Sequence, residues 1–163
     1  MIYWGVFLAV SVSVNELFTM GDRVTDRSIA VTAAIIERDG LVFCARRSPG
    51  RHLSGYWEFP GGKIETGETP EQSLIRELKE ELNLTCRILG YFATNHHHYT
   101  DKTIELTAFN VVIMGGDLRL TDHDCYRWLA IDELQSLTWA PADIPFVTLL
   151  QSRAKSNDIK CSS

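Results

Sequence analysis

The sequence predicts an α/β fold, a sandwich in which strands surround one acidic helix and a second helix ends the domain. Runs of apolar or alternating residues bounded by turn residues are typical of strands, and they span residues 29–36, 41–45, 57–59, 86–99, 103–114 and 126–129. An amphipathic segment over residues 70–82 predicts the first helix, and residues 146–153 predict the last. A length of 163 residues with 45% hydrophobic content suits one domain with a substantial core.

Turn residues divide the chain at the expected places. Asp39-Gly40 is typical of the turn between the first two strands, which predicts a hairpin. Residues 48–56 are rich in Gly and Pro and predict a loop that carries Arg51 and His52. A second, longer hairpin follows the acidic helix, and residues 121–125 predict a polar loop before the sixth strand.

The acidic helix has clear start and packing signals. Thr69 is expected to be its N-cap and Pro70 its first helical residue. At about 100° per residue, three leucines fall on one stripe that is expected to face the core: Leu74, Leu78 and Leu82.

Three carboxylates, Glu77, Glu80 and Glu81, share the arc beside this apolar stripe. Like charges at these spacings destabilise a helix by about 0.2–0.5 kcal/mol per pair unless a cation lies between them. Oxygen ligands without Cys or His favour Mg²⁺ or Mn²⁺ over zinc. The alternative is a solvated acidic face, and the helix by itself leaves both interpretations open.

The composition restricts the partners and the compartment. A net charge of −5 argues against a surface that binds nucleic acid stably and favours a small-molecule ligand. Four widely spaced cysteines are expected to be free thiols of a cytoplasmic protein: Cys44, Cys86, Cys125 and Cys161. No membrane association is expected, and the chain is expected to be a monomer or a homodimer.

Residues 1–27 precede the predicted domain and leave several interpretations open. The first 18 residues are mostly apolar, yet they are short for a transmembrane helix and lack the basic start of a signal peptide. Met20 is an alternative start before a polar leader; otherwise the segment packs on the domain or lies near a membrane. The domain itself is predicted over residues 28–155, followed by a flexible tail over residues 156–163.

The residues from 62 to 84 resemble the signature of the Nudix hydrolases. The matching positions are Gly62, then five residues, Glu68, seven residues, Arg76-Glu77-Leu78, one residue, Glu80-Glu81, two residues and Leu84. Asn83 stands where the family usually has Gly, and Asn is the next best residue for a left-handed helix C-cap. The resemblance implies an α/β/α sandwich with a mixed sheet, a catalytic loop and helix, and a C-terminal helix.

The resemblance also implies a reaction, the hydrolysis of a nucleoside diphosphate linked to a further group. Divalent ions suit this reaction because they neutralise phosphate oxygens and orient the attacking water. Glu77, Glu80 and Glu81 are therefore the expected ligands of Mg²⁺ or Mn²⁺, and either Glu77 or Glu80 is the expected base. Glu68 is expected to pair with Arg76 and fix the loop to the helix.

Further metal and phosphate contacts are implied outside the helix. A backbone carbonyl near Gly61 and the carboxylate of Asp122 are expected to add metal ligands. Arg47 and Lys102 align with positions that face the nucleotide phosphates, and the resemblance places His52 over the nucleotide.

The resemblance is closest to the MutT-like subgroup, because residues 57–63 and 140–145 are similar to segments of bacterial 8-oxo-dGTP and CTP pyrophosphohydrolases. Asp143 stands where that subgroup reads the nucleobase edge, and Phe59 and Tyr99 are candidates to stack on the base. A carboxylate accepts two hydrogen bonds from guanine, whereas bonding both N3 and the amine of cytosine requires a protonated Asp143.

The implied activity is metal-dependent hydrolysis of a nucleoside triphosphate to a monophosphate and pyrophosphate, of the kind that removes modified nucleotides such as 8-oxo-dGTP or 5-substituted dCTP. One alternative is another capped diphosphate: a nucleotide sugar, a dinucleoside polyphosphate or an RNA 5′ end. Another is a non-catalytic nucleotide sensor, which would be expected to lack one of the three helical glutamates.

Overall fold

The computed structural model describes the backbone of residues 28–161 and the side chains of residues 28–156. The leader over residues 1–27, with the alternative start at Met20, therefore lies outside the described residues. Within the described part, no helix is both long and apolar enough to cross a membrane.

Six strands form one mixed sheet, as the sequence predicts. The strands are β1 (Ser28–Arg38), β2 (Leu41–Arg47), β3 (Trp57–Glu58), β4 (Thr85–His98), β5 (Thr103–Gly115) and β6 (His123–Ala130). Their order is β3-β2-β1-β5-β4, and β6 pairs with β2. β1 and β5 are parallel, whereas the other pairs are antiparallel. The helices are α1 (Pro70–Leu82), a 3₁₀ helix (Ile131–Ser136) and α2 (Ile144–Cys161).

The two α-helices cover opposite faces of the sheet. On one face, the predicted leucine stripe of α1 is fully buried, and it packs with Phe43 and Phe109 of the sheet. On the other face, Phe146 and Leu150 of α2 pack with Phe92 and Leu106. Burying an apolar face on each side of one sheet produces the predicted α/β/α sandwich.

The ends of α1 are fixed by local chemistry that the sequence shows. Thr69 and Gln72 form a capping box, in which the Thr69 side chain accepts from the backbone of Gln72 and the Gln72 side chain accepts from the backbone of Thr69. Asn83 adopts the left-handed conformation with φ 55° and ends the helix. Both predicted caps are confirmed, so the two ends of the helix that carries the carboxylates are fixed.

Two predicted boundaries are wrong in ways that affect the site. The last helix does not end near Arg153 but continues to Cys161, because no Pro or Gly after Pro145 interrupts it. β6 begins at His123 instead of residue 126, since backbone pairing with β2 overrides the polar composition of this segment. Residue 123 thus lies opposite Arg47.

The described cysteines carry no disulfide. Cys44, Cys86 and Cys125 are free thiols, as predicted, and Cys161 lies outside the described side chains. Burial raises the pKa of Cys44 to about 12 and that of Cys86 to about 11. These thiols therefore remain protonated and behave as small apolar side chains in the core.

Candidate active site

A cavity of about 540 Å³ opens between α1, the C-terminal ends of β2 and β3, and the two loops that follow these strands. Most of the predicted site residues line it: Arg47, His52, Phe59, Gly61, Glu77, Glu81, Tyr99, Lys102, Asp122 and Asp143. The other three, Glu68, Arg76 and Glu80, lie outside its lining. Glu80 is turned outward, with a side chain that is 60% exposed.

The carboxyl group of Glu81 is partly buried in the wall of this cavity. Its Oε2 is buried and has no hydrogen-bond partner among the described residues. Burial, reinforced by the negative charges of Glu58, Glu77 and Asp122, raises the pKa of Glu81 to about 8. An unpartnered buried carboxylate oxygen surrounded by further carboxylates is an environment that a divalent cation would neutralise.

Arg76 gathers the remaining carboxylates of the loop and helix. It donates to both oxygens of Glu68 at 2.7 and 2.9 Å, which confirms the predicted pair. The same guanidinium donates to Glu77 at 2.8 Å and to Glu80 at 3.1 Å. Its hydrogen bond to Glu68 lowers the pKa of that carboxyl to about 2. Arg76 also donates to the carbonyl of Lys63 at 3.2 Å, so it fixes the loop to the helix.

The glycines of the loop permit two close approaches. A Cβ on Gly61, whose φ is +155°, would lie 2.1 Å from the carbonyl oxygen of Thr32. A Cβ on Gly62 would lie 2.3 Å from the carboxyl carbon of Glu77. The backbone of β1 holds this segment, because the Thr32 N–H donates to the Gly62 carbonyl at 2.8 Å. The loop backbone can therefore approach Thr32 and the Glu77 carboxylate this closely only because residues 61 and 62 are glycines.

These residues fit a hard divalent cation, with one rearrangement. The oxygens of Glu77, Glu81, Asp122 and the Gly61 backbone border the same cavity, and such oxygens are the ligands that Mg²⁺ and Mn²⁺ prefer. The described residues hold no ready-assembled group of three His, Cys, Asp or Glu ligands. Glu77 and Asp122 are instead paired with arginines, so both carboxylates must turn to share a cation.

The sequence analysis did not identify Glu58 and His123, which form a buried network with Arg47. Arg47 donates to Glu58 Oε2 at 2.6 Å and to the carbonyl of His52 at 2.6 Å. The His123 Nε2 atom lies 2.8 Å from Glu58 Oε1, and its side chain is 1% exposed. A single acid between the apolar residues Trp57 and Phe59 was the signal in the sequence for Glu58. His123 gave no such signal, because its strand was predicted to be a loop.

Asp122 pairs with Arg51, which lies on the loop over residues 48–56. Arg51 donates to Asp122 Oδ1 at 2.5 Å, and both side chains line the cavity. The backbone N–H of Ser48 donates to the Asp122 carbonyl at 3.1 Å. The sequence placed Arg51 on this loop but gave it no role. Its partner could not be deduced, because 71 residues separate the two.

Asp143 also lines the cavity and is buried, with 5% exposure. Its Oδ1 accepts from the backbone N–H of Phe59 at 3.0 Å. Burial, together with the charge of Glu58, raises the pKa of Asp143 well above its usual range. Its carboxyl group is therefore favoured in the protonated form, which has both a donor and an acceptor.

The predicted stacking residues have different environments. Phe59 is 3% exposed, and its ring centroid lies 4.7 Å from that of Trp139, so it is mainly a core residue whose edge reaches the cavity. Tyr99 is partly buried, with its ring 4.5 Å from His97 and 6.0 Å from His52. Of the two aromatic residues, Tyr99 has the more accessible ring.

Aliphatic side chains complete the Asp143 end of the cavity. Ile104, Leu106 and Ala142 line it together with Phe59 and Tyr99. This apolar surface contrasts with the charged end that contains Glu81 and Asp122. The cavity thus combines a slot suited to a flat ring with a polar region suited to phosphates and cations.

Comparison with known proteins agrees with this geometry. The family model for the NUDIX domain matches residues 26–150. The chain is 38% identical over 121 residues to a CTP pyrophosphohydrolase of Escherichia coli, an alignment that covers 74% of this chain and 90% of that protein. It is 30% identical over 126 residues to an 8-oxo-dGTP diphosphatase of the same organism, covering 77% and 98%.

Solved structures show the same relationship. The solution structure of the E. coli ORF135 protein superimposes with a TM-score of 0.70 at 35% identity, covering 81% of this chain and 94% of that one. The solution structure of MutT from a methicillin-resistant Staphylococcus aureus gives a TM-score of 0.65 at 38% identity, covering 78% and 98%. Sequence, fold and the loop-helix site therefore agree, and the chain belongs to the MutT-like subgroup of the Nudix hydrolase family.

Proposed function

We propose that this protein is a Mg²⁺- or Mn²⁺-dependent pyrophosphohydrolase that converts a nucleoside triphosphate into a monophosphate and pyrophosphate. The observation that carries the proposal is the unpartnered, buried Oε2 of Glu81 at the charged end of a cavity whose other end is apolar. A cation site next to a ring-sized slot suits a substrate with phosphates at one end and a base at the other. The relatives named for CTP and 8-oxo-dGTP hydrolysis support the same class of substrate.

The cation and the side chains have separate tasks in this proposal. A bound divalent ion would supply charge neutralisation at the phosphates and would lower the pKa of the attacking water. Glu81, Glu77, Asp122 and the Gly61 carbonyl would hold it, while Arg76 orients the helical carboxylates. Glu77 is also the better placed base, because it lines the cavity whereas Glu80 is largely exposed.

Arg47 and Lys102 supply positive charge to the phosphates. Arg47 is already oriented by Glu58 and by the His52 carbonyl, so it needs no ordering when the substrate binds. Lys102 lies with its Nζ 5.8 Å from the Tyr99 ring, at the rim of the cavity. Both residues line the cavity, so their positive charges can reach the phosphates of a bound triphosphate.

The base is read by Asp143 and flanked by Tyr99. A protonated Asp143 donates to a ring nitrogen or carbonyl and accepts from an amine, as the edges of cytosine and guanine require. The candidates are therefore CTP, 5-substituted dCTP and 8-oxo-dGTP, the substrates of a nucleotide-pool sanitising enzyme. The free thiols support a cytoplasmic location for this activity.

A panel of triphosphates tests the proposal by pyrophosphate release with Mg²⁺. We expect one of these candidates to have the highest kcat/KM, and EDTA to abolish hydrolysis. Glu81→Gln and Glu80→Gln test the metal ligands separately, with Glu81→Gln expected to lower kcat more. Release of phosphate or of a sugar phosphate from other capped diphosphates, without triphosphate cleavage, would contradict the proposal.

A further inference from the structure

The ion pair between Arg51 and Asp122 lies at the charged end of the cavity and joins a loop to a candidate metal ligand. The side chains are 52% and 34% exposed, respectively, so neither is confined by packing. Arg51 occupies the carboxylate that a cation would use, because the guanidinium already lies 2.5 Å from Oδ1. An arginine and a divalent cation therefore compete for the same oxygen atoms.

The other arginine of the cavity is held in a different way. Arg47 is paired with Glu58, and Glu58 is in turn fixed by His123, whose side chain is 1% exposed. Glu58 has both oxygens engaged and its side chain is only 13% exposed, so Arg47 keeps its partner. Within the described residues, the Asp122 carboxylate has no second hydrogen-bond partner comparable to the one that His123 gives Glu58. Asp122 is attached to Ser48 only through its backbone, so its carboxylate can turn.

The position of Arg51 is set by the loop and not by the ion pair alone. The N–H of Arg51 donates to the Ser48 carbonyl at 3.3 Å, and its carbonyl accepts from Ser54 at 3.1 Å. The loop is tied to β2 as well, where the Gly55 N–H donates to the Arg47 carbonyl at 3.0 Å. If Asp122 turns away, the backbone of Arg51 therefore stays beside the cavity, and its guanidinium becomes available to a new anionic partner there.

We propose that Arg51 is a phosphate-binding residue of this protein, which Asp122 holds in the metal-free state and releases to the substrate when Asp122 binds a cation. This inference rests on the proposed function. Binding of the cation and of the triphosphate are then linked, because the cation displaces Arg51 and the phosphates receive it. Arg51 also adds a planar donor that matches two phosphate oxygens at once.

Arg51→Ala separates this role from a structural one, because it should move two affinities in opposite directions. The KM for the preferred triphosphate should rise about tenfold, since a charge-assisted contact is lost. The affinity of the nucleotide-free protein for Mn²⁺, measured by electron paramagnetic resonance, should become about threefold tighter, since an exposed ion pair no longer competes. Arg51→Lys keeps the charge, so its KM and its Mn²⁺ affinity should lie between those of wild type and Arg51→Ala.

Arg46→Ala is the matched control. Arg46 forms an exposed ion pair with Asp124 at 2.8 Å, two residues from Asp122, and neither partner lines the cavity. This variant removes the same charge nearby, so it should leave both the KM and the Mn²⁺ affinity unchanged. Equal effects of Arg46→Ala and Arg51→Ala would overturn the proposal in favour of a general change of field.

A double-mutant cycle with Asp122→Asn tests the release step. Arg51→Ala should not tighten Mn²⁺ binding further in the Asp122→Asn background, because no carboxylate remains to compete for. If Arg51→Ala tightens Mn²⁺ binding equally in the Asp122→Asn background, or if it leaves the KM unchanged, the inference is wrong and the proposed function still holds. A wild-type protein that neither binds nor hydrolyses any triphosphate overturns both.

Discussion

The backbone N–H of Phe59 donates to Oδ1 of Asp143 at 3.0 Å, across 84 residues of sequence. Phe59 directly precedes the Pro60-Gly61-Gly62 loop. This bond therefore connects Asp143 to the loop that lies against Glu77. A second bond, from Asn95 Nδ2 to the Ala142 carbonyl at 2.9 Å, holds the same segment from β4. These two bonds therefore fix the segment that carries Asp143 relative to the Pro60-Gly61-Gly62 loop.

The protonation of Asp143 should control base binding. The pKa of Asp143 is raised in the folded protein, so its carboxyl is protonated below that value and loses its donor above it. We expect the KM for the preferred triphosphate to rise as the pH passes through this pKa. Asp143→Asn keeps a carbonyl for Phe59 and a permanent donor, so its KM should not show this rise. Parallel pH profiles of the two proteins would rule out this role.

Glu81 should destabilise the metal-free protein in alkaline solution. Its pKa is about 8 instead of 4.5, so between these values the native protein holds a proton that the unfolded chain has lost, and stability falls as the pH rises. Glu81→Gln removes this ionisation and should stabilise the protein by on the order of 3 kcal/mol at about pH 9. Its advantage over wild type should be smallest near about pH 4.5.

Urea unfolding in EDTA at about pH 5 and about pH 9 measures the effect. Glu71→Gln is the matched control on α1, because Glu71 is exposed in the first turn, and it should follow the wild-type pH dependence. Added Mg²⁺ should stabilise wild type and have little effect on Glu81→Gln. Identical pH dependence of Glu81→Gln and wild type would show that Glu81 is not desolvated as described.

The close contact of Gly62 with Glu77 predicts a strong effect of a single methyl group. A Cβ at residue 62 would lie 2.3 Å from the Glu77 carboxyl carbon, so Gly62→Ala must displace this carboxylate. We expect kcat to fall by about 100-fold, as a misplacement near 1 Å can cause, and Mn²⁺ affinity to weaken.

Gly90→Ala provides the comparison for Gly62→Ala. Apart from residue 90 itself and its two chain neighbours, no described residue has a heavy atom within 4 Å of a Cβ at residue 90, so activity should be retained. Steady-state kinetics and Mn²⁺ binding measure both variants. A Gly62→Ala enzyme with wild-type kcat would mean that the Glu77 position is not critical.

Asn83 should stabilise the end of α1 through its backbone conformation. Its φ of 55° is left-handed, and its side chain donates to the Asp117 carbonyl at 2.9 Å. Asn83→Ala should cost about 1–2 kcal/mol, because Ala adopts the left-handed conformation less readily than Asn and the hydrogen bond to Asp117 is lost. Asn83→Gly should cost less than about 1 kcal/mol, since Gly accepts the conformation. Chemical denaturation distinguishes them, and equal losses would assign the effect to the side-chain bond alone.

The loop and helix of the site could be predicted because their determinants are local. The N-cap Thr69, the C-cap Asn83 and the leucine stripe follow one another within one segment, and Arg76 reaches Glu68 only eight residues away. Strand identities were also readable from apolar patterning. The start of β6 was not, because His123 pairs with Arg47 of a distant strand and its neighbours are polar.

The sequence by itself determined the α/β class, the acidic helix with its caps, and the cluster of carboxylates for which we propose a divalent cation. Only the tertiary structure decided that Glu81 is the buried carboxylate while Glu80 is exposed, that Glu58 and His123 hold Arg47, and that Arg51 pairs with Asp122. The physical reason is range. Caps and helical stripes depend on neighbours in the chain, whereas burial, pKa and ion-pair partners depend on which strands the sheet brings side by side.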